Sequence, residues 1–192
     1  MGNSVYDREL ITTTRTLSVE DFENAWMLRE RTAGALRDSK AMTVIYAVLG
    51  VAFLATNIPD MIRFQWEAVI VGMLEFLLCA ACIIYQQMIL PQRIQNQANV
   101  MYRSNQVLQE TETVILTRDG YTLKNKYETV TGFWSETAFC AENERYMIFC
   151  GGLDREMIVV TKEEWSEEQR IAVSEKMQET FAGRYKQVRE KA

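Results

Sequence analysis

The stretch AVIVGMLEFLLCAACIIY, Ala68–Tyr85, decides how the chain is read. Seventeen of its eighteen residues carry no charge, and the exception, Glu75, falls near the middle. At about 1.5 Å per residue, a helix of this length reaches roughly 27 Å, close to the roughly 30 Å hydrocarbon core of a bilayer. A second run, AMTVIYAVLGVAFLATNI (Ala41–Ile58), lies upstream and lacks the polar face that a soluble helix presents. Only residues 59–67 separate the two runs. The expectation is an antiparallel transmembrane hairpin with spans at about 41–58 and 68–88.

The averages of the whole chain conceal this. Its 192 residues carry a net charge of −5 and a mean hydropathy of −0.16, values ordinary for a soluble domain. Between Ala41 and Tyr85, however, the only charged residues are Asp60, Arg63, Glu67 and Glu75. Segregation of this kind points to a membrane anchor joined to a modest polar domain. Arg29, Arg31, Arg37 and Lys40 precede the first run and Arg93 and Arg103 follow the second, while the connection holds only Arg63. The positive-inside rule then places both termini in the cytoplasm, with Phe64 and Trp66 suited to the interface. The opening MGNSVYDREL has no apolar signal-peptide core, and Tyr6 stands where an N-myristoylation motif takes Ser or Thr.

Histidine is absent, which removes His-based acid–base catalysis and His-containing metal sites. Cys79, Cys82, Cys140 and Cys150 make no zinc spacing. There is no Gly-rich phosphate loop, nucleophile elbow or HExxH. The chain is therefore expected to be non-enzymatic, with no catalytic residue, cofactor or metal.

Within the second run, residues at spacings of three and four are small or polar: Ala68, Gly72, Glu75, Cys79, Cys82 and Gln86. The first run offers Thr43, Ala47, Gly50 and Asn57. Small residues on one face mark a helix–helix contact in lipid, where apolar bulk can face outward without cost. Gly50, Gly72, Glu75, Cys79 and Cys82 are thus candidate packing residues, and Cys79-Ala80-Ala81-Cys82 is a packing motif rather than a redox one. Folding the hairpin about Ile62 puts Gly50 level with Glu75 and makes Tyr46 the nearest hydroxyl. An intramembrane carboxylate is a functional candidate by default. Glu75 is expected either to lock the hairpin, or a dimer, by hydrogen bonding, or to be a tolerated carboxyl that acts as packing glue.

Outside the spans, Leu10–Leu17 is β-branched and strand-like, and Ser18 caps an acidic helix start. That helix is expected to run from Val19 to Lys40 and on into the first span. Pro91 is read as the start of a connecting helix over 91–111. From Glu112 the period becomes two, with a hairpin turn at Asp119-Gly120. Strands are expected near 130–138, 146–150 and 157–160, the last two linked by Gly151-Gly152 and Asp154. Cys140 and Cys150 fall on neighbouring strands and are expected to be close and reduced. Ser166 and Gln169 make a capping box before a final helix whose apolar stripe is Val173, Met177, Phe181, Tyr185 and Val188. The fold class is α+β: a two-helix hairpin plus a small antiparallel sheet closed by a C-terminal amphipathic helix. Its divisions are 1–40, 41–90, 91–111 and 112–192, and Trp134, Trp165 and Phe181 are candidate core. The strand ahead of the spans is free to join the sheet built after them.

This order, with Leu17-Ser18-Val19-Glu20-Asp21-Phe22 at the front and Asp119-Gly120, Trp134 and MIVVTKEEW ending at Trp165 at the back, resembles the YcxB-like family of small bacterial membrane proteins. Family members often carry Pro-Lys and Phe where this chain has Thr161-Lys162 and Trp165. The resemblance implies a pleckstrin-homology-like (PH-like) cytoplasmic domain at the bacterial inner membrane and no particular activity. From Ser104 onward, twelve basic residues face sixteen acidic ones, which argues against nucleic acid as a partner. The expected partners are the lipid bilayer and either a second copy or another membrane protein. The functional reading is an interaction or regulatory module. Immunity to a membrane-acting toxin or bacteriocin and an accessory transporter subunit, the latter carried by Glu75, are the alternatives.

Overall fold

Alternation along ELITTTRT builds the first strand, β1 (Glu9–Thr16): Ile11, Thr13 and Arg15 turn inward while Thr12, Thr14 and Thr16 face solvent. A computed structural model describes residues 9–63, 65–152 and 156–188. Phe64 and Asp154, which figured in the sequence reading, lie outside the described residues. The chain divides into two compact units, one of Met1–Thr32 with Gln97–Ala192 and one of Ala33–Asn96. The N-terminal segment and the later part of the chain are therefore one body, not separate pieces.

In the first unit β1 pairs antiparallel with β2 (Thr111–Thr117), Thr13 opposite Val114 and Arg15 opposite Glu112. β3 (Gly120–Lys124) and β4 (Thr129–Phe133) complete a four-stranded sheet in the order β1-β2-β3-β4. A second sheet follows: β5 (Phe139–Glu142), β6 (Tyr146–Cys150) and β7 (Met157–Thr161), closed by β8 (Tyr185–Gln187) in the order β7-β6-β5-β8. The single antiparallel meander expected from the sequence is thus two sheets, and β8 runs parallel to β5.

Every residue of β6 is buried, because the second sheet is covered on both faces. Met147, Phe149, Ile158 and Val160 face the core with Trp134, Val173, Met177 and Phe181. The alternate residues Tyr146, Ile148, Cys150 and Val159 face α1 (Val19–Thr32), which buries Phe22, Ala25, Trp26 and Leu28. α1 stops at Thr32, whose hydroxyl donates back to the Leu28 carbonyl at 2.6 Å, and a turn over 33–38 separates it from the next helix. It does not run on into the apolar helix that follows, as the sequence reading expected.

The closing helix α6 (Glu167–Phe181) begins at the Ser166–Gln169 capping box. It ends sooner than the apolar stripe suggested. Ala182 takes a φ of +43°, so Tyr185 and Val188 leave the helix and Tyr185 enters β8. The β2–β3 loop is Arg118-Asp119 rather than Asp119-Gly120, because Leu116 pairs with Tyr121. Gly120 is needed for close approach instead: a Cβ there would collide with the Gly132 carbonyl oxygen.

The second unit is the hairpin of α2 (Ser39–Ile62) and α3 (Trp66–Ile84). α2 passes through Pro59 and ends four residues beyond the expected limit. A π-helical turn, Tyr85–Ile89, links α3 to α4 (Leu90–Ser104), so Pro91 lies inside a continuous helix rather than starting one. Proline has no N–H to give the turn before it. The Gln86 carbonyl in that turn accepts from the Ser39 hydroxyl at 3.3 Å. The short α5 (Gln106–Gln109), capped by the Asn105 side chain, leads into β2.

Candidate functional site

The 3.6-residue period puts one side of each hairpin helix in the seam. On α3 the residues withdrawn from the surface include Ala68, Gly72, Glu75, Cys79 and Cys82, and Gln86 follows in the π-helical turn. On α2 they include Thr43, Tyr46, Gly50, Phe53 and Asn57, while Ala47 is exposed. Gly50 faces Cys79: a Cβ built on it would lie 3.4 Å from Cys79 Cβ. Gly72 faces Asn57 at 3.3 Å by the same measure. A Cβ at Gly50 would make ordinary van der Waals contact and one at Gly72 a slightly tighter one, so the two glycines sit where the helices approach closely.

Glu75 sits next to this contact. Its Oε2 accepts from Asn57 Nδ2 at 3.3 Å, and Asn57 Nδ2 also donates to the Phe53 carbonyl at 2.8 Å. Glu75 is therefore neither level with Gly50 nor bonded to Tyr46. The register is displaced by four positions along α3, one helical turn, because α2 continues through Pro59 and moves the fold-back point toward the C-terminus. A second polar link closes the other end of the seam, where Gln87 Nε2 donates to Thr43 Oγ1 at 2.7 Å.

In the first unit Trp134, Trp165 and Phe181 are all buried. Trp134 is the centre of an aromatic cluster, 5.4 Å from Tyr121, 4.6 Å from Phe149 and 5.7 Å from Phe181 between ring centroids. Its indole N–H donates to the Thr117 carbonyl at 3.0 Å, which ties the core to the first hairpin.

A buried polar cluster not anticipated from the sequence is centred on Glu142. Its carboxylate accepts from Lys162 Nζ at 3.2 Å, from Ser174 Oγ at 2.8 and 2.9 Å, and from the Tyr185 hydroxyl. Lys162 and Glu142 are only 4 and 5% exposed. Burial, and then the bond to Glu142, pushes the Tyr185 hydroxyl well above its usual range. A second buried pair, Arg15 with Glu112 at 3.3 Å, joins β1 to β2. At the start of α1, burial works to raise the Asp21 carboxyl. Hydrogen bonds from Ser18 and Tyr146 outweigh it and hold the group below the usual carboxylate range.

Cys140 and Cys150 lie on paired strands but on opposite faces, since Cys140 pairs with Phe149 and Cys150 with Phe139. They are not placed to form a disulfide. Burial pushes the Cys140 thiol strongly up, with the Glu142 charge adding to it, and raises Cys150 to about 12. Neither is a nucleophile near neutral pH. Among the described residues, no group of three or more Cys, Asp or Glu is arranged to hold a metal ion.

A cleft of about 260 Å³ opens in this unit, with walls from Phe22, Trp26, Met101, Leu108 and Met157 and the carboxylates of Glu128 and Glu156 in its lining. Arg29 lies 4.4 Å over the Trp26 ring beside it and pairs with Glu156. The lining comes from four separate parts of the chain, so no local motif announces it. No family model, curated protein or solved structure matches the chain.

Proposed function

We propose that the chain is a two-span protein of a bacterial inner membrane whose α+β unit acts as an interaction or regulatory module on the cytoplasmic side. The observation that carries this reading is the surface of the hairpin. Outside the seam, α2 and α3 turn apolar side chains to the exterior: Val51 and Leu78 are each 67% exposed, with Val44, Val48, Leu74 and Leu77 similarly bare. A water-soluble chain rarely leaves such a continuous apolar surface uncovered, whereas lipid covers it without cost. Ser39–Asp60 and Trp66–Ser104 are both long and apolar enough to cross a membrane.

The first unit draws its chain from both sides of the hairpin. Two spans return the chain to the face it left, which suits a single unit built from both ends. The clustering of Arg and Lys outside the hairpin tip supports the cytoplasmic face for this unit. Two four-stranded sheets closed by α6 are compatible with the PH-like layout implied by the YcxB-like resemblance. The partners in this reading are the bilayer and a protein surface, either a second copy or another membrane protein.

Alkaline carbonate washing of native membranes tests insertion, and the chain is expected to stay in the pellet. A membrane-impermeant maleimide tests topology. Gln65→Cys, at the hairpin tip, is expected to label in intact cells, and Lys124→Cys only after the inner membrane is opened. Release into the carbonate supernatant, or labelling of both positions from the same side, would overturn the proposal.

A further inference from the structure

β4 is the outermost strand of the first sheet, and among the described residues no strand lies beyond it. In an antiparallel strand the N–H and C=O of one residue point to the same side, and successive residues alternate. The Trp134 N–H donates to Asp119 O at 3.1 Å, and the Glu128 carbonyl accepts from Asn125 N–H at 3.1 Å. Even-numbered positions of β4 therefore turn toward β3, and Thr129, Thr131 and Phe133 turn their amides and carbonyls outward.

Natural sheets protect such an edge with charge, proline, a bulge or a covering segment. The strand TVTGF has neither charge nor proline, and its register with β3 is unbroken from Lys124–Thr129 to Gly120–Phe133. Thr129 and Thr131 are exposed, and Phe133 is 57% exposed.

We propose that β4 is a self-association edge that pairs antiparallel with β4 of a second copy, about a two-fold axis at Thr131. Three features suit a second copy. The outward groups repeat symmetrically about Thr131, so Thr131 meets Thr131 and Thr129 meets Phe133, and every outward N–H meets an outward C=O in about six hydrogen bonds. Apolar surfaces meet under the same axis: Val130 falls opposite Gly132, over which the Tyr121 ring of its own chain lies. No charged residue within the strand faces its equivalent, so no like-charge repulsion between the two strands opposes the pairing. The contact is isologous and closed, giving a dimer rather than a filament. It stands whether or not α2 and α3 enter a bilayer, so its failure and that of the membrane reading are separable.

The test is oxidation of Thr131→Cys in a Cys79→Ala/Cys82→Ala background, in the full-length chain. Facing Cα atoms of a hydrogen-bonded pair lie about 5.5 Å apart, inside the range a disulfide spans. Thr131→Cys is expected to give a reducible covalent dimer. Thr113→Cys, on β2 of the same face, is expected to give none. In parallel, Thr131→Pro removes the outward N–H without touching the bonds to β3. It is expected to lower the dimer fraction of the otherwise wild-type chain at least fivefold in sedimentation, with an unchanged melting temperature. A Thr131→Cys chain that stays monomeric, equal linking at Thr113→Cys, linking to a different polypeptide, or a wild-type chain that sediments as a monomer at tens of micromolar would each overturn the proposal.

Discussion

Glu142 shows how much of the first unit hangs on one side chain. It stands on β5, and its donors come from the end of β7, from α6 and from β8, so one carboxylate ties the sheet to both elements that close it. A buried ion pair adds little net stability over an apolar pair of the same shape, but removing one partner strands the other charge. Glu142→Ala is expected to cost about 3–5 kcal/mol, because Lys162 is left buried without its carboxylate. Glu142→Leu combined with Lys162→Met is expected to recover most of that loss. Urea midpoints followed by tryptophan fluorescence measure both. If the single and double variants unfold at the same midpoint, the stranded-charge account is wrong. The sequence does not single out this residue. FCAE reads like any short strand with an acidic end, and its burial follows from a three-residue parallel strand that forms only because α6 stops at Phe181. Trp134, Trp165 and Phe181 were legible for the opposite reason: large aromatic side chains bury so much area that few folds leave them outside.

At the scale of elements, periodicity revealed which faces of the hairpin meet but not their register. A repeat of 3.6 residues fixes a face whatever the helix length. Register depends on where the helix ends, and Pro59 looked like an end while α2 continues to Ile62. The structure makes a sharp prediction. Gly50→Cys would place its Cβ about 3.4 Å from Cys79 Cβ, close to the spacing of a disulfide. Oxidation of Gly50→Cys, with Cys82→Ala to remove the competitor, is expected to consume two thiols within one chain, counted by maleimide-polyethylene glycol mass shift. Under the register read from the sequence, Gly50 would lie a full turn away at Glu75 and the two thiols would survive. The second sheet teaches a related lesson. YMIFC and MIVV are unbroken apolar runs, the pattern of strands covered on both faces, and α1 is the cover. The runs were visible, but the identity of the covering helix lay across the hairpin.

For the whole molecule, the deciding feature is that β1 precedes the helical hairpin and β2 follows it. Ile11 and Leu17 contribute buried apolar surface from the early segment, and Arg15 pairs with Glu112 across the join. Deleting residues 1–17 is expected to turn 111–188 from protease-resistant to labile, with the hairpin still present. Limited proteolysis showing equal resistance in the two chains would mean that β1 is dispensable.

The same feature orders events in time. The Thr16 and Thr111 hydroxyls that bond at 2.8 Å are 95 residues apart in the chain. At about 5–20 residues per second of synthesis, β1 waits roughly 5–20 s for its partner. Both hairpin helices are made during that wait. β1 therefore joins its sheet only after α2 and α3 exist, and a closed sheet certifies that everything between β1 and β2 has already been built.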